Sequence, residues 1–204
     1  MPAIQEAELK KVERRTISLW DALCDRRSVR HYTDQAVEAH TLKDLLDYAV
    51  EAPSAVNSQP WSFVIVQNRN LLNEISFEAK KTLASNPRWM SEAKQGQNQI
   101  ADPGFNLFYN ASTLIIVCAN REEPAPEIDC YLACQNLMLA AYGMGLGTCP
   151  IGLAWDILRT DEMKRKLKIP EGHYPILPII VGYPSEEAPK TERAAPRILN
   201  WIPA

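Results

Sequence analysis

The chain has 204 residues, 46% of them hydrophobic, and a formal net charge of -3. That length can bury a full core in one globular domain, and the mild acidity argues against a nucleic-acid partner, which would need a basic surface to neutralise phosphates. No apolar run is long enough to span a membrane, and "MPAIQEAELKKVERRTISLW" carries acids where a signal peptide would have its apolar core, so a cytoplasmic setting is expected.

The predicted elements follow in order. Ser18 with Asp21 three residues on resembles a capping box and predicts a helix from there to about Asp25, burying Leu19, Leu23 and their neighbours. Thr41 with Asp44 repeats the signal, and Leu42, Leu45, Leu46, Ala49 and Val50 keep the spacing of one helical face up to the stop at Pro53. "WSFVIVQ" (61–67) and "TLIIVCA" (113–119) read as buried strands. "ILPIIVG" (176–182) reads as a third, with Pro178 hinting at an edge or a bulge. Ile128 to Leu146 is apolar nearly all round, which predicts a central buried helix, and "TDEMKRKLKI" predicts a more polar one after it. Helices and strands alternate irregularly, so the fold class is α+β. The polar stretch 80–108, with scattered aromatics, suits either an inserted lid or an ordinary surface helix and loop.

The five cysteines, Cys24, Cys118, Cys130, Cys134 and Cys149, are odd in number and set among apolar residues, which suggests reduced thiols. Cys130 and Cys134 share a helical face. They read as small buried hydrophobes, because no further Cys or His completes a metal ligand set.

Three stretches could carry chemistry. In "CDRRSVRHY" (24–32), Arg26, Arg27 and Arg30 surround Ser28, and such a local cluster in an acidic chain suits a small anion. In "EAPSAVNSQPWSFVIV" (51–66), Pro53, Ser54, Asn57, Ser58 and Gln59 form an uncharged polar loop, suited to a heterocycle edge, to a polyol, or simply to a capping turn. In "GTCPIGLAW" (147–155), Pro150, Ile151 and Gly152 make a stiff platform whose backbone N–H a flat ring could approach. No phosphate-binding or dinucleotide glycine motif, nucleophile elbow or histidine metal spacing accompanies them, so a cofactor is the simplest source of chemistry.

Together "RRSVRHY", "APSAVNSQPWSFVIV", "YLACQNLMLAAYGMGLGTCPIG" and the tail "IIVGYPSEEAPKTERAAPR" resemble the FMN-dependent nitroreductases, in the family's order and over most of the chain. The middle, 80–108, does not align. The resemblance implies a three-layer α/β/α sandwich with a mostly antiparallel central sheet. It also implies one FMN-binding domain over 1–204 with a lid-like insertion at about 80–108, and an intertwined homodimer with flavin sites at its interface. By the same resemblance, Arg26, Arg27, Ser28 and Arg30 hold the phosphate and ribityl chain, with Arg193 or Arg197 completing the grip. Pro53, Ser54, Asn57 and Gln59 reach the flavin from the other subunit. Pro150, Ile151 and Gly152 line the ring, with the Gly152 N–H donating to flavin N5, and Asn106 serves the pyrimidine edge. Trp89, Phe105 and Phe108 are candidate lid aromatics, and Trp201 is expected to pack on the partner. The implied activity is hydride transfer from NAD(P)H through the flavin to a nitroaromatic or quinone. No side chain is expected to act as catalyst and no metal to take part. Alternatives on the same fold are a dedicated substrate, as in dehydrogenase or flavin-destroying members, or a flavin-binding protein without turnover.

Overall fold

The structure, a computed structural model, describes residues 17–85, 100 and 102–203. Four strands form one antiparallel sheet in the order β1-β2-β4-β3: β1 (Trp61–Val66), β2 (Thr113–Asn120), β3 (Gly147–Pro150) and β4 (His173–Gly182). β2 is apolar throughout because both of its faces are covered. Ile115, Val117 and Ala119 face one core, and Leu114, Ile116 and Cys118 face the other. The first core is closed by α2 (Ala39–Ala49) and α4 (Pro126–Gly143). The second is closed by α3 (Arg69–Ala84), the short helices α5 (Trp155–Leu158) and α6 (Asp161–Lys166), and the turn around Leu107 and Phe108. This is the expected three-layer sandwich with a mostly antiparallel sheet.

Several local expectations are met, and others are corrected. The capping box at Ser18 is present and starts α1 (Leu19–Asp25). Its apolar side chains are not buried, however: Leu19 is 63% exposed, Trp20 73% and Leu23 49%, with Ala22 alone buried. The helix caps correctly but lies outside both cores of its own chain. α2 begins at Ala39 with Glu38 as its N-cap, and Thr41 is buried inside the first turn instead of capping it. α4 buries Cys130, Ala133, Cys134, Leu137 and Ala141, while Ile128, Tyr131 and Leu132 remain exposed. Four thiols are buried as expected, but Cys24 is exposed. Burial pushes Cys118, Cys130 and Cys134 up to about 12, so these thiols stay protonated.

Pro178 lies in an interior strand, contrary to an edge assignment. Its missing donor does no harm there. Its carbonyl accepts from the Ile151 N–H (2.9 Å) just where β3 ends, and the ladder shifts register opposite Val117 and Cys118. The 80–108 segment also divides differently. Lys80 to Ala84 still belong to α3, and Leu107 and Phe108 belong to the second core.

Candidate active site

After α1 the chain turns back along the outer edge of the sheet. The Val29 N–H donates to Thr148 O (2.9 Å), and Ser28 pairs with Thr148 as a single parallel bridge. Further on, Tyr32 bridges Pro184, and the Thr33 N–H donates to Tyr183 O (2.9 Å). Gly147 permits this approach, because a Cβ there would stand 2.8 Å from three side-chain atoms of Val29. Gly147→Ala is therefore expected to push the arginine segment off β3. It should cost about 1–3 kcal/mol in urea unfolding, as overpacking of a close contact does. Unchanged stability would mean that the contact relaxes freely.

The extended backbone sorts the arginines. Arg27 donates through Nη1 to the carbonyls of Cys24 (2.6 Å) and Arg26 (2.8 Å), closing the end of α1, while its buried Nε has no partner among the described residues. Partial desolvation, then the charges of Arg27 and Arg193, hold the Arg26 guanidinium below the usual arginine range. Arg193, rather than Arg197, is thus the C-terminal cation felt at Arg26, and both stand exposed on the tail. Beneath the segment lies the buried Cys149 thiol. Burial raises its pKa, opposed by Arg30, by a hydrogen bond with Ser28 and by Arg26. Arg26, Ser28 and Arg30 thus all act on the thiol next to Pro150, where β3 ends.

At that end Ile151 is buried and its N–H is committed to Pro178. Gly152 is exposed. Its N–H makes no hydrogen bond to any described residue, and a Cβ there would meet nothing within 4 Å. The platform thus offers one free backbone donor on an open face.

Arg30 borders a second feature, an open pocket of about 370 Å³ shared with Tyr32, Phe105, Asn106 and Tyr109. Its guanidinium carbon lies 5.9 Å from the centre of the Tyr109 ring, and Tyr109 meets Phe105 edge to face at 5.4 Å. Of the expected lid aromatics, Phe105 lines this pocket. Phe108 does not: it is 1% exposed and packs the second core. Trp89 lies outside the described residues. Tyr32 and Tyr109 belong to the pocket although no sequence pattern marked them. Tyr109 and Asn110 adopt φ of +51° and +56°, a conformation that single-residue propensities do not reveal.

The polar loop lies elsewhere. Its Ala55 N–H donates to buried Asp129 of α4 (3.0 Å), and Ser54 Oγ accepts from the Gln59 N–H (3.0 Å). Val56, Asn57 and Gln59 all take positive φ, and Asn57 and Gln59 are left exposed beside Pro53. This loop precedes β1, at the opposite edge of the sheet from β3, and it faces the other end of the strands. Trp61 pairs with Ala119, which pairs with Tyr174, whereas the arginine segment meets Thr148, which pairs with Val181. Four strand spacings, counting the one from β3 to the arginine segment, and seven residues of β4 amount to about 19 Å across and about 23 Å along. One chain does not bring the two halves together.

A sequence model of the Nitroreductase family matches residues 23–183. A relative from Methanothermobacter thermautotrophicus, provisionally named an NADH dehydrogenase/NAD(P)H nitroreductase, is 32% identical over 170 residues, covering 81% of this chain and 77% of its own. The FMN reductase (NAD(P)H) of Bacillus subtilis is 26% identical over 192 residues, covering 88% and 71%. The crystal structure of a nitroreductase with bound FMN from Bacteroides fragilis superposes with a TM-score of 0.75 at 26% identity, covering 92% of this chain and 99% of that one. The fold and the family model agree: the chain belongs to the Nitroreductase family, a family of NAD(P)H-linked flavin oxidoreductases.

Proposed function

We propose that the protein is an FMN-dependent NAD(P)H oxidoreductase that works as a homodimer and reduces electron-poor aromatic acceptors. The observation that carries this reading is the sorted arginine segment lying beside a free backbone donor.

The residues present fit a flavin mononucleotide. Arg26 feels Arg27 and Arg193 as like charges, a setting that suits a phosphate dianion. The orphaned Arg27 Nε adds a buried donor at the same end. The Gly152 N–H stands free beside Pro150 and Ile151, where a planar ring can approach without a side chain intervening. No dinucleotide motif is present to hold a second nucleotide half.

Bound there, FMN supplies two-electron chemistry, taking hydride from NAD(P)H and giving it to an acceptor such as a nitroaromatic or quinone. Arg26, Ser28 and Arg193 anchor the phosphate end, with Arg27 holding the turn that presents them. Arg30 and Asn106 border the pocket at the ring end and supply positive charge and an amide there. The Gly152 N–H would donate to the ring, having no bond to any described residue. Pro53, Ser54, Asn57 and Gln59 come from the second copy, since they lie too far away within one chain. The partner's loop would exclude water from one side of the bound cofactor and leave its other face for donor and acceptor. Phe105 edges that face.

The experiment is spectroscopic. The purified protein should show flavin absorption, bleach with NAD(P)H under argon and recover when a quinone is added. A flavin that stays oxidised with both NADH and NADPH would contradict the enzymatic reading.

A further inference from the structure

Helix α3 carries four polar side chains at one helical spacing, Arg69, Asn73, Ser76 and Lys80, on a helix whose other inner positions are apolar. All four reach the same turn. Arg69 donates to the Asn110 carbonyl (2.8 Å), and Ser76 Oγ accepts from the Leu107 N–H (2.8 Å). Lys80 donates to the carbonyls of Asp102 (3.1 Å), Pro103 (3.3 Å) and Phe105 (2.7 Å), which uses all three of its ammonium hydrogens. Asn73 Oδ1 accepts from Asn106 Nδ2 (2.9 Å). The turn so held is the pocket wall that carries Phe105, Asn106 and Tyr109, with its strained positions at Tyr109 and Asn110.

The Asn106 amide is the consequence that matters. Its Oδ1 accepts from the Phe108 backbone N–H (2.8 Å), which can only donate, so the amide cannot flip. One Nδ2 hydrogen goes to Asn73. The other has no partner among the described residues, on a residue that lines the same pocket as Arg30. The pocket end is therefore preset as a pair of donors, which recognises a carbonyl acceptor and rejects a donor.

We infer that Asn73, which does not line this pocket itself, is a positioning residue for the cofactor. By holding one Asn106 hydrogen it aims the other at a pyrimidine carbonyl of the ring. This rests on the FMN reading above. Without Asn73 the amide keeps its carbonyl bond to Phe108 but loses the anchor that sets the angle of its NH₂ group. Asn73→Asp keeps an acceptor at the same place and should preserve the aim.

The test titrates apo-protein with FMN and with two analogues, each having one pyrimidine carbonyl oxygen replaced by sulfur, a weaker acceptor. The wild-type chain should prefer FMN over one of the two analogues by roughly three- to tenfold, the worth of one hydrogen bond. In Asn73→Ala that preference should fall to near unity, with FMN itself bound severalfold more weakly and the thermal midpoint nearly unchanged. Asn73→Asp should restore the preference. An Asn73→Ala chain that keeps the wild-type preference would overturn the inference. So would an equal loss of affinity for FMN and both analogues, which marks general loosening of the turn, or a wild-type chain that does not discriminate at all. A wild-type chain that takes no FMN would overturn the cofactor reading and this inference with it.

Discussion

Arg26→Ala should weaken FMN binding about ten- to a hundredfold while leaving riboflavin affinity where it was. Losing one charge-assisted phosphate bond costs on the order of 1.5–3 kcal/mol, which sets the range. Riboflavin is the control because it has the ring and ribityl chain but no phosphate. The apo-protein should not suffer. Arg26 is partly desolvated beside Arg27 and Arg193, so removing its charge relieves repulsion, and the urea midpoint should hold or rise. Arg193→Ala should behave like Arg26→Ala, and Arg197→Ala should change nothing. Arg30→Ala should also cost about ten- to a hundredfold in FMN affinity, but should weaken riboflavin as well, because Arg30 lines the pocket with Asn106 and stacks near Tyr109. Isothermal titration of both ligands against the four variants checks the whole pattern. Equal losses for FMN and riboflavin in Arg26→Ala would show that the phosphate is held elsewhere.

Two individually defective chains should make one good site when combined. The arginine segment and the 53–59 loop lie at opposite edges and opposite ends of one sheet, so an FMN touching both must draw on two copies. Arg26→Ala disables one half. The double variant Asn57→Asp, Gln59→Asp disables the other by placing carboxylates against an anionic cofactor. Both positions have positive φ, which Asp tolerates, so the loop should keep its shape. After co-refolding, half of the dimers are mixed, and each mixed dimer carries one intact site and one doubly defective site. About a quarter of all sites should then bind FMN with wild-type affinity. A mixture that binds no better than either variant alone would mean that both halves act within one chain.

How far the sequence could be read followed the range of the interactions. β2 was legible because a run of β-branched residues between two covered faces needs no partner to be identified. The α1 cap at Ser18 was legible because capping is settled within four residues. The burial of Leu19 and Leu23 was misjudged, since an apolar helix face says that something covers it but not whether that is the same chain. Trp201, Leu199 and Ile202 repeat the case, at 76%, 86% and 84% exposed. Trp201 was expected to pack on a partner, and its exposed neighbours and the exposed face of α1 suit the same expectation. At the site, the arginine cluster stood out as local charge, but its division did not. Arg27 turned back on α1 through hydrogen bonds that spacing alone cannot show, and it is the charge of Arg193 that is felt at Arg26. Phe108 was read as a lid aromatic because nothing in "DPGFNLF" tells which phenylalanine faces inward. The α3 stripe and Asp129 were missed for the same reason, as their partners lie 22 to 74 residues away.

The measurement closest to the central claim is the mass of the intact assembly under native conditions, followed by the mass of the small molecule it releases. The account predicts two chains carrying two FMN molecules. One chain that retains its own FMN, or an assembly that releases FAD, would contradict it.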